Sequence, residues 1–133
     1  MKKKINNLRN YVPVNVINAG IGGVSAKSSL NRIDKQVLAH SPDLVIVCFG
    51  LNDVNGTLED YLSSLRIIFE KCITSGVDVI FMTPNMMCTK VSAHLEKQQL
   101  IQIAESSCDT EIKVVVELYL NAARVIAEEK GIP

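Results

Sequence analysis

Two short loops of this sequence combine glycine with polar side chains in patterns suited to stabilising a negative charge. The first reads Asn-Ala-Gly-Ile-Gly-Gly at residues 18–23, and the second reads Gly-Leu-Asn-Asp at residues 50–53. Glycines let the backbone turn sharply and approach a bound group, and backbone N–H groups at a helix start attract anions. In the second loop, the Asn52 amide can donate a hydrogen bond to an oxyanion, while Asp53 can hold neighbouring backbone in place. Taken alone, each loop is also explained as an ordinary tight turn.

The pattern of apolar residues predicts which elements position these loops. Short runs rich in β-branched residues predict strands, and apolar residues at helical spacing predict helices. Ser41-Pro42 ends the first helix, because proline disfavours helical backbone in the residue before it. Ser75-Gly76 and Gly131 are typical helix ends. The predicted strands span residues 14–18, 44–49 and 77–82, and the predicted helices span residues 26–39, 58–74, 92–106 and 111–130.

This alternation of strands and helices predicts an α/β fold with a parallel sheet. In such sheets, ligands bind beyond the carboxyl ends of the strands. Both polar loops directly follow predicted strands, so we expect them to lie at the same edge of the sheet. A third loop, Thr83-Pro84-Asn85, follows the strand at residues 77–82.

Composition narrows the range of partners. The 133 residues are 47% hydrophobic and 21% charged, with a formal net charge of zero and 5% aromatic residues. Such a chain gives no electrostatic case for a nucleic-acid or acidic-membrane partner, and no apolar run approaches the length of a membrane span. The cysteines do not form a CxxC pair and have no histidine nearby, which predicts reduced thiols in a cytoplasmic protein without a metal or cofactor. These cysteines are Cys48, Cys72, Cys88 and Cys108, and the histidines are His40 and His94.

Together, the two loops resemble blocks II and III of the SGNH (GDSL-type) hydrolases, and the similarity in pattern spans nearly the whole chain. The resemblance implies a flavodoxin-like three-layer α/β fold and hydrolysis of a small-molecule ester. It also implies two oxyanion-hole donors, the backbone N–H of Gly23 and the side-chain amide of Asn52. Gly22 and Asp53 would support these donors.

The sequence departs from that family at the groups that perform the covalent chemistry. No Gly-Asp-Ser occurs, so there is no match to the family's serine nucleophile. No Asp-x-x-His occurs either, because positions 37 and 91, three before each histidine, are valine. Ser25 is expected to serve the loop and the first helical turn. We therefore expect a single domain over residues 1–133, truncated at both ends, without the family's first and last strands and inactive on its own.

Two alternatives from other classes remain open at this stage. One is a nucleotide-binding module that uses the Gly20–Gly23 loop for phosphate, with Asp53 as the candidate acid for a ribose hydroxyl. The other is a non-catalytic interaction protein. In the strand order that the resemblance implies, a strand is missing between residues 14–18 and 44–49. These two strands would then pair directly or leave apolar edges exposed, so we also expect a homo-oligomer or association through open strand edges.

Overall fold

The computed structural model describes residues 13–84, 97, 98, 101, 102, 105 and 110–133. Short 3-10 turns also occur at Leu38–His40 and Asp53–Asn55. The alternation of helices and strands confirms the predicted α/β class. In chain order the elements are α1 (Ala26–Ser29), α2 (Ile33–Gln36), β1 (Leu44–Val47), α3 (Leu58–Thr74), β2 (Asp78–Phe81) and α4 (Thr110–Glu129).

Strands β1 and β2 form a parallel pair, as predicted, with Leu44 opposite Asp78 and Val47 opposite Phe81. Side chains alternate between the two faces of the pair. One face is buried beneath α3, and the other exposes Ile46 and Ile80 at 43% and 37% of their surface. Within the described ranges, no strand pairs with the other edge of β1. The helices in the described ranges cover one face of the sheet, the face that α3 buries.

Helix α3 has the predicted bounds, and its sequence explains them. Thr57 caps its start by accepting a hydrogen bond from the Asp60 N–H at 3.1 Å, and acidic residues occupy its first turn. The helix ends at Thr74, and Ser75 caps it before Gly76, which has a φ of +72°. The inward face is apolar at intervals of three and four residues, and Phe69 packs edge-on against Phe81 of β2 with ring centroids 5.7 Å apart. The buried hydrophobic residues of this face are Tyr61, Leu65, Ile68, Phe69 and Cys72.

Helix α4 packs against α3 and completes the core. It spans nearly the predicted residues and ends as predicted at Gly131, which has a φ of +67° and donates its N–H to the Glu128 carbonyl at 3.0 Å. Its buried positions are Val116, Tyr119, Leu120, Ala123, Ile126 and Ala127. Most of the helix predicted at residues 92–106 lies outside the described residues. No helix in the described ranges is long and apolar enough to cross a membrane.

Two sequence expectations are wrong. Residues 14–18 do not form a strand, because no strand among the described residues pairs with them, and Val16 and Ile17 are 48% and 61% exposed. Residues 26–39 do not form one helix but two four-residue helices followed by a 3-10 turn. The hydroxyls of Ser28 and Ser29 both donate to the Ser25 carbonyl at 3.0 Å. The Ser29 N–H still donates to the Ser25 carbonyl at 3.1 Å, and the break follows where the Leu30 and Arg32 N–H groups bond three residues back, to the Lys27 and Ser29 carbonyls.

Candidate active site

The two polar loops lie together at the carboxyl end of β1, as their positions in the sequence predicted. The glycine loop comprises residues 18–25 and leads into α1. The Asn52 loop comprises residues 49–56 and connects β1 to α3 through a 3-10 turn. Two hydrogen bonds join the Asn52 loop to the end of the glycine loop and the start of α1. They connect Ala26 with Asp53 and Val24 with Asn52, which are 27 and 28 positions apart in the sequence.

Asp53 joins the two loops. Its Oδ1 accepts the Ala26 N–H at 2.7 Å, and its Oδ2 accepts the Gly50 N–H at 2.9 Å. The side chain is buried, with 4% of its surface exposed. Burial raises the pKa of this carboxyl above its usual value, while the hydrogen bonds from Ala26 and Gly50 offset part of that increase. The Asp53 carboxylate therefore fixes the position of Ala26, the first residue of α1, relative to Gly50 in the Asn52 loop.

Asn52 lies beside Asp53 in sequence but faces solvent. Its Nδ2 donates to the Val24 carbonyl at 3.3 Å, which places the amide against the residue that follows Gly23. Gly23 has a φ of +77°, a backbone conformation that favours glycine. A methyl group built on either Gly22 or Gly23 would meet no atom within 4 Å, so the space above the loop is open. The amide nitrogen of Asn52 carries two N–H groups, and one of them donates to the Val24 carbonyl, so the second N–H does not take part in that bond.

The glycine loop is held at its start by two polar side chains. The Asn18 Oδ1 accepts the Gly20 N–H at 3.0 Å. The Arg32 Nη1 donates to the Ala19 carbonyl at 2.9 Å and to the Gln36 Oε1 at 3.0 Å. Arg32 was not among the residues selected from the sequence, because its contact with the loop depends on the turn that separates α1 from α2.

The start of α1 is already satisfied by the protein itself. Ser25 forms a capping box with Ser28, in which each side chain accepts the backbone N–H of the other residue at 3.3 and 3.0 Å. Asp53 takes the Ala26 N–H. These bonds leave few N–H groups at the start of α1 to bind a phosphate. Both carboxylate oxygens of the buried Asp53 already accept N–H groups of the protein, so they are occupied rather than available to a ribose hydroxyl. The geometry therefore disfavours the nucleotide-binding alternative, and Ser25 has the structural role expected for it.

The Asn52 loop is held by tyrosine hydroxyls from α3 and α4, which the sequence analysis did not single out. Tyr61 of α3 donates its hydroxyl to the Phe49 carbonyl at 3.0 Å, and Tyr119 of α4 donates to the Gly56 carbonyl at 2.9 Å. A tyrosine on an otherwise apolar helix face is the available sequence signal, because a buried hydroxyl needs a hydrogen-bond partner. Gly50 has a φ of +142°, a backbone conformation that favours glycine, and a Cβ there would lie 2.7 Å from the Leu120 Cδ2, so a larger residue would require strained backbone and a shift of Leu120.

His40, the histidine in the described part of the chain, does not lie at this edge of the sheet. His40 ends the 3-10 turn before β1, at the opposite end of the strand, and His94 lies outside the described residues. Cys48 directly follows β1 and is exposed to solvent. Burial of part of the residue nevertheless raises the pKa of its thiol. Among the residues described, no three His, Cys, Asp or Glu side chains are grouped to hold a metal ion.

Comparison with known proteins identifies what this arrangement resembles. The family profile described as GDSL-like lipase/acylhydrolase matches residues 3–129. Among solved structures, a lipase/acylhydrolase from Enterococcus faecalis is similar with a TM-score of 0.74 and 21% identity, covering 99% of this chain and 60% of its own. The acetyl xylan esterase AlAXEase gives a TM-score of 0.68 and 22% identity, over 89% of this chain and 56% of its own.

A catalytic mutant of an acetylxylan esterase from Geobacillus stearothermophilus is also similar, with a TM-score of 0.73 and 20% identity, over 96% of this chain and 56% of its own. Identities in this range show a shared α/β fold. The chain spans just over half the length of these three structures. No curated protein matches the sequence.

Proposed function

Because the chain belongs to the GDSL-like lipase/acylhydrolase family, we propose that its two polar loops form the oxyanion-binding part of an ester hydrolase site. The observation that carries this proposal is the bridge through Asp53 together with the contact of Asn52 with Val24. These contacts hold the glycine loop, which carries Gly23, and the Asn52 loop together at one edge of the sheet. Hydrolysis of an ester passes through a tetrahedral intermediate whose oxygen carries a negative charge, and N–H donors stabilise it.

Each site residue has a distinct proposed role. The Gly23 N–H and the free N–H of the Asn52 amide donate to the oxyanion. Gly22 keeps the space in front of these donors open, since its side of the loop meets no atom within 4 Å of a built methyl group. Asp53 does not touch the substrate in this proposal. It holds the two donor loops at a fixed separation.

These 133 residues are proposed to bind an ester without hydrolysing it. The sequence holds neither Gly-Asp-Ser nor Asp-x-x-His, so it offers no match to the family's nucleophile or base. We expect p-nitrophenyl acetate to be hydrolysed no faster than by a denatured control. Turnover that a serine-reactive phosphonate abolishes would contradict this expectation, because it would require an active nucleophile in the chain.

The acyl group is proposed to be small, with acetyl as the first choice. Two of the structurally similar proteins are acetylxylan esterases. Acetate carries the charge of the proposed oxyanion and is itself the acid product of such a reaction, so it is a suitable probe for the donors. We therefore expect acetate to shift the NMR signals of the Gly23 amide and the Asn52 side-chain amide in a saturable manner.

The matched variants for this titration are Asn52→Asp and Asn121→Asp, which make the same change in charge and shape. Asn121 is exposed on α4, where its Oδ1 accepts a hydrogen bond from Arg124. We expect Asn52→Asp to abolish the response of Gly23 to acetate and Asn121→Asp to leave it intact. Equal responses in the two variants, or none in the unaltered chain, would contradict the oxyanion assignment.

We also propose that copies of the chain associate through β1. One edge of β1 pairs with no strand in the described part of the chain and adjoins an apolar sheet face on which Leu44 and Ile46 are 47% and 43% exposed, and the strand carries no charge to discourage pairing. An uncharged open edge offers backbone groups to a second strand. The free thiols of Cys48 and Cys72 agree with a reducing compartment, and we propose the cytoplasm.

A further inference from the structure

The Asn52 loop is held at both ends by tyrosine hydroxyls that come from two different helices. Tyr61 of α3 donates to the Phe49 carbonyl at 3.0 Å, where the loop begins. Tyr119 of α4 donates to the Gly56 carbonyl at 2.9 Å, where the loop ends. Asn52 lies between these two points, so each hydroxyl holds one side of the proposed donor.

The side chains of Tyr61 and Tyr119 also pack against each other. Their rings stack with centroids 5.7 Å apart and an angle of 18° between the planes. Both rings are buried, with 1% of Tyr61 and 7% of Tyr119 exposed. Side chains packed this tightly have few alternative rotamers, so the hydroxyl positions are fixed by the core.

The chemistry of the Tyr61 hydroxyl suits a lasting donor role. Burial, followed by the negative charges of Asp53 and Cys48, raises the pKa of Tyr61 well above its usual value. The Tyr61 hydroxyl therefore keeps its proton at neutral pH and remains a donor to the Phe49 carbonyl. The same hydroxyl lies 3.3 Å from the place of a Cβ on Gly50, so it also occupies the space that a side chain there would need.

From this geometry we propose that Tyr61 and Tyr119 are positioning residues that set the place of the Asn52 amide in the oxyanion site. The inference rests on the proposed function for the role of Asn52, but the restraint on the loop can be tested without it. An oxyanion donor contributes through its exact placement, and a displacement of about 1 Å can reduce a rate by about a hundredfold. Stability alone does not require that two hydroxyls converge on the loop that carries a donor.

The test uses Tyr61→Phe and Tyr119→Phe, which remove each hydroxyl and keep the stacked ring. Ser64→Ala is the matched control, because Ser64 lies on α3, is 2% exposed and donates its hydroxyl to the Asp60 carbonyl at 2.6 Å, away from the loop. All three variants therefore lose a buried hydroxyl-to-carbonyl bond. A general loss of stability would affect the control as well.

The first measurement is amide hydrogen exchange in the absence of ligand. The Gly50 N–H bonds to Asp53 and the Gly56 N–H bonds to the Asp53 carbonyl at 2.9 Å, so both report on the loop. Relative to a core amide of α3, we expect both tyrosine variants to accelerate exchange of these loop amides by about three- to tenfold, the equivalent of one net hydrogen bond. We expect no such relative change in Ser64→Ala. Because each hydroxyl holds a different end of the loop, either tyrosine variant is sufficient if the other does not fold.

The second measurement is the acetate titration, followed through the Asn52 side-chain amide signals. We expect both tyrosine variants to raise the dissociation constant by about three- to tenfold and Ser64→Ala to leave it unchanged. Loop exchange equal to that of the control, or faster loop exchange with unchanged acetate affinity, would overturn the inference. Faster loop exchange in a protein that never responds to acetate would support the restraint on the loop and contradict the oxyanion function instead.

Discussion

The variant Asp53→Asn keeps the shape of the side chain that joins the two loops but replaces one acceptor oxygen with an NH2 donor. In the protein, the two carboxylate oxygens accept the Ala26 and Gly50 N–H groups at 2.7 and 2.9 Å. In the variant, one of these buried N–H groups faces another donor. An unsatisfied buried group costs about 1–3 kcal/mol, and a hydrogen bond to a charged partner contributes about 1.5–3 kcal/mol.

The amide also relieves part of the cost of burying a charge, because a neutral group is easier to remove from water than a carboxylate. We therefore expect Asp53→Asn to lower the free energy of unfolding by about 2–3 kcal/mol. In urea denaturation followed by circular dichroism, a slope of about 1.5–2 kcal/mol per molar converts this loss into a midpoint lower by about 1–2 M. Asp34→Asn is the control, since Asp34 forms an exposed ion pair with Lys71. Such pairs contribute only about 0–1 kcal/mol.

The pH dependence of the difference between protein and variant has a definite sign. Burial raises the pKa of Asp53, so the folded chain holds this proton more tightly than the unfolded chain does. The contribution of Asp53 to stability therefore decreases as the pH rises from the unfolded value, about 3.9, through the raised folded value. We expect the difference to be larger in mild acid and constant at neutral pH. A neutral-pH loss no greater than that of Asp34→Asn would refute the bridging role.

Three further predictions follow from single residues. Gly50→Ala should lower the free energy of unfolding, measured in urea, by about 2–4 kcal/mol, because the alanine would strain the backbone and its Cβ would approach the Leu120 Cδ2 of α4 to 2.7 Å. A loss below about 1 kcal/mol would contradict this reasoning. Light scattering at micromolar concentration should show a dimer or larger assembly for the unaltered chain and a monomer for Ile46→Lys, whereas an unaltered monomer would contradict association through β1. Iodoacetamide should label Cys48 more slowly in the folded chain than in urea and faster as pH rises, because burial raises its thiol pKa. Cys72 should react only on unfolding, so equal labelling of both cysteines, read by peptide mass spectrometry, would contradict its burial.

Sequence reasoning succeeded where structure depends on neighbours along the chain. Helix α3 was predicted to the residue, because its apolar spacing and its Ser75-Gly76 end are local signals. The strand expected at residues 14–18 depended instead on a partner strand, which sequence periodicity does not supply. The single helix expected at residues 26–39 is broken after Ser29, where the Leu30 and Arg32 N–H groups bond to carbonyls three residues back, a change that the apolar spacing does not reveal.

The same distinction separates the candidate site residues that the sequence indicates from the supporting contacts that it does not. Asn52 and Asp53 were identified because they directly follow a buried strand in a recognisable pattern. Tyr119 lies 63 residues from Gly56, the residue that it holds, and nothing near it in the sequence indicates that contact. Its hydroxyl on an apolar helix face shows that a partner is needed but does not show which one.

The geometry at Asp53 also explains why the two loop motifs are informative as a pair. A buried carboxylate is costly unless hydrogen bonds compensate it, and Asp53 is compensated by one N–H from α1 and one from its own loop. Without the tight glycine loop, the start of α1 would not reach Asp53, and one side of the charge would be unpaired. Without the aspartate, the Ala26 and Gly50 N–H groups would lose their acceptor. Each motif therefore requires the other to be stable in this fold, so finding both in one sequence indicates a single folded site, whereas either one alone indicates only a turn.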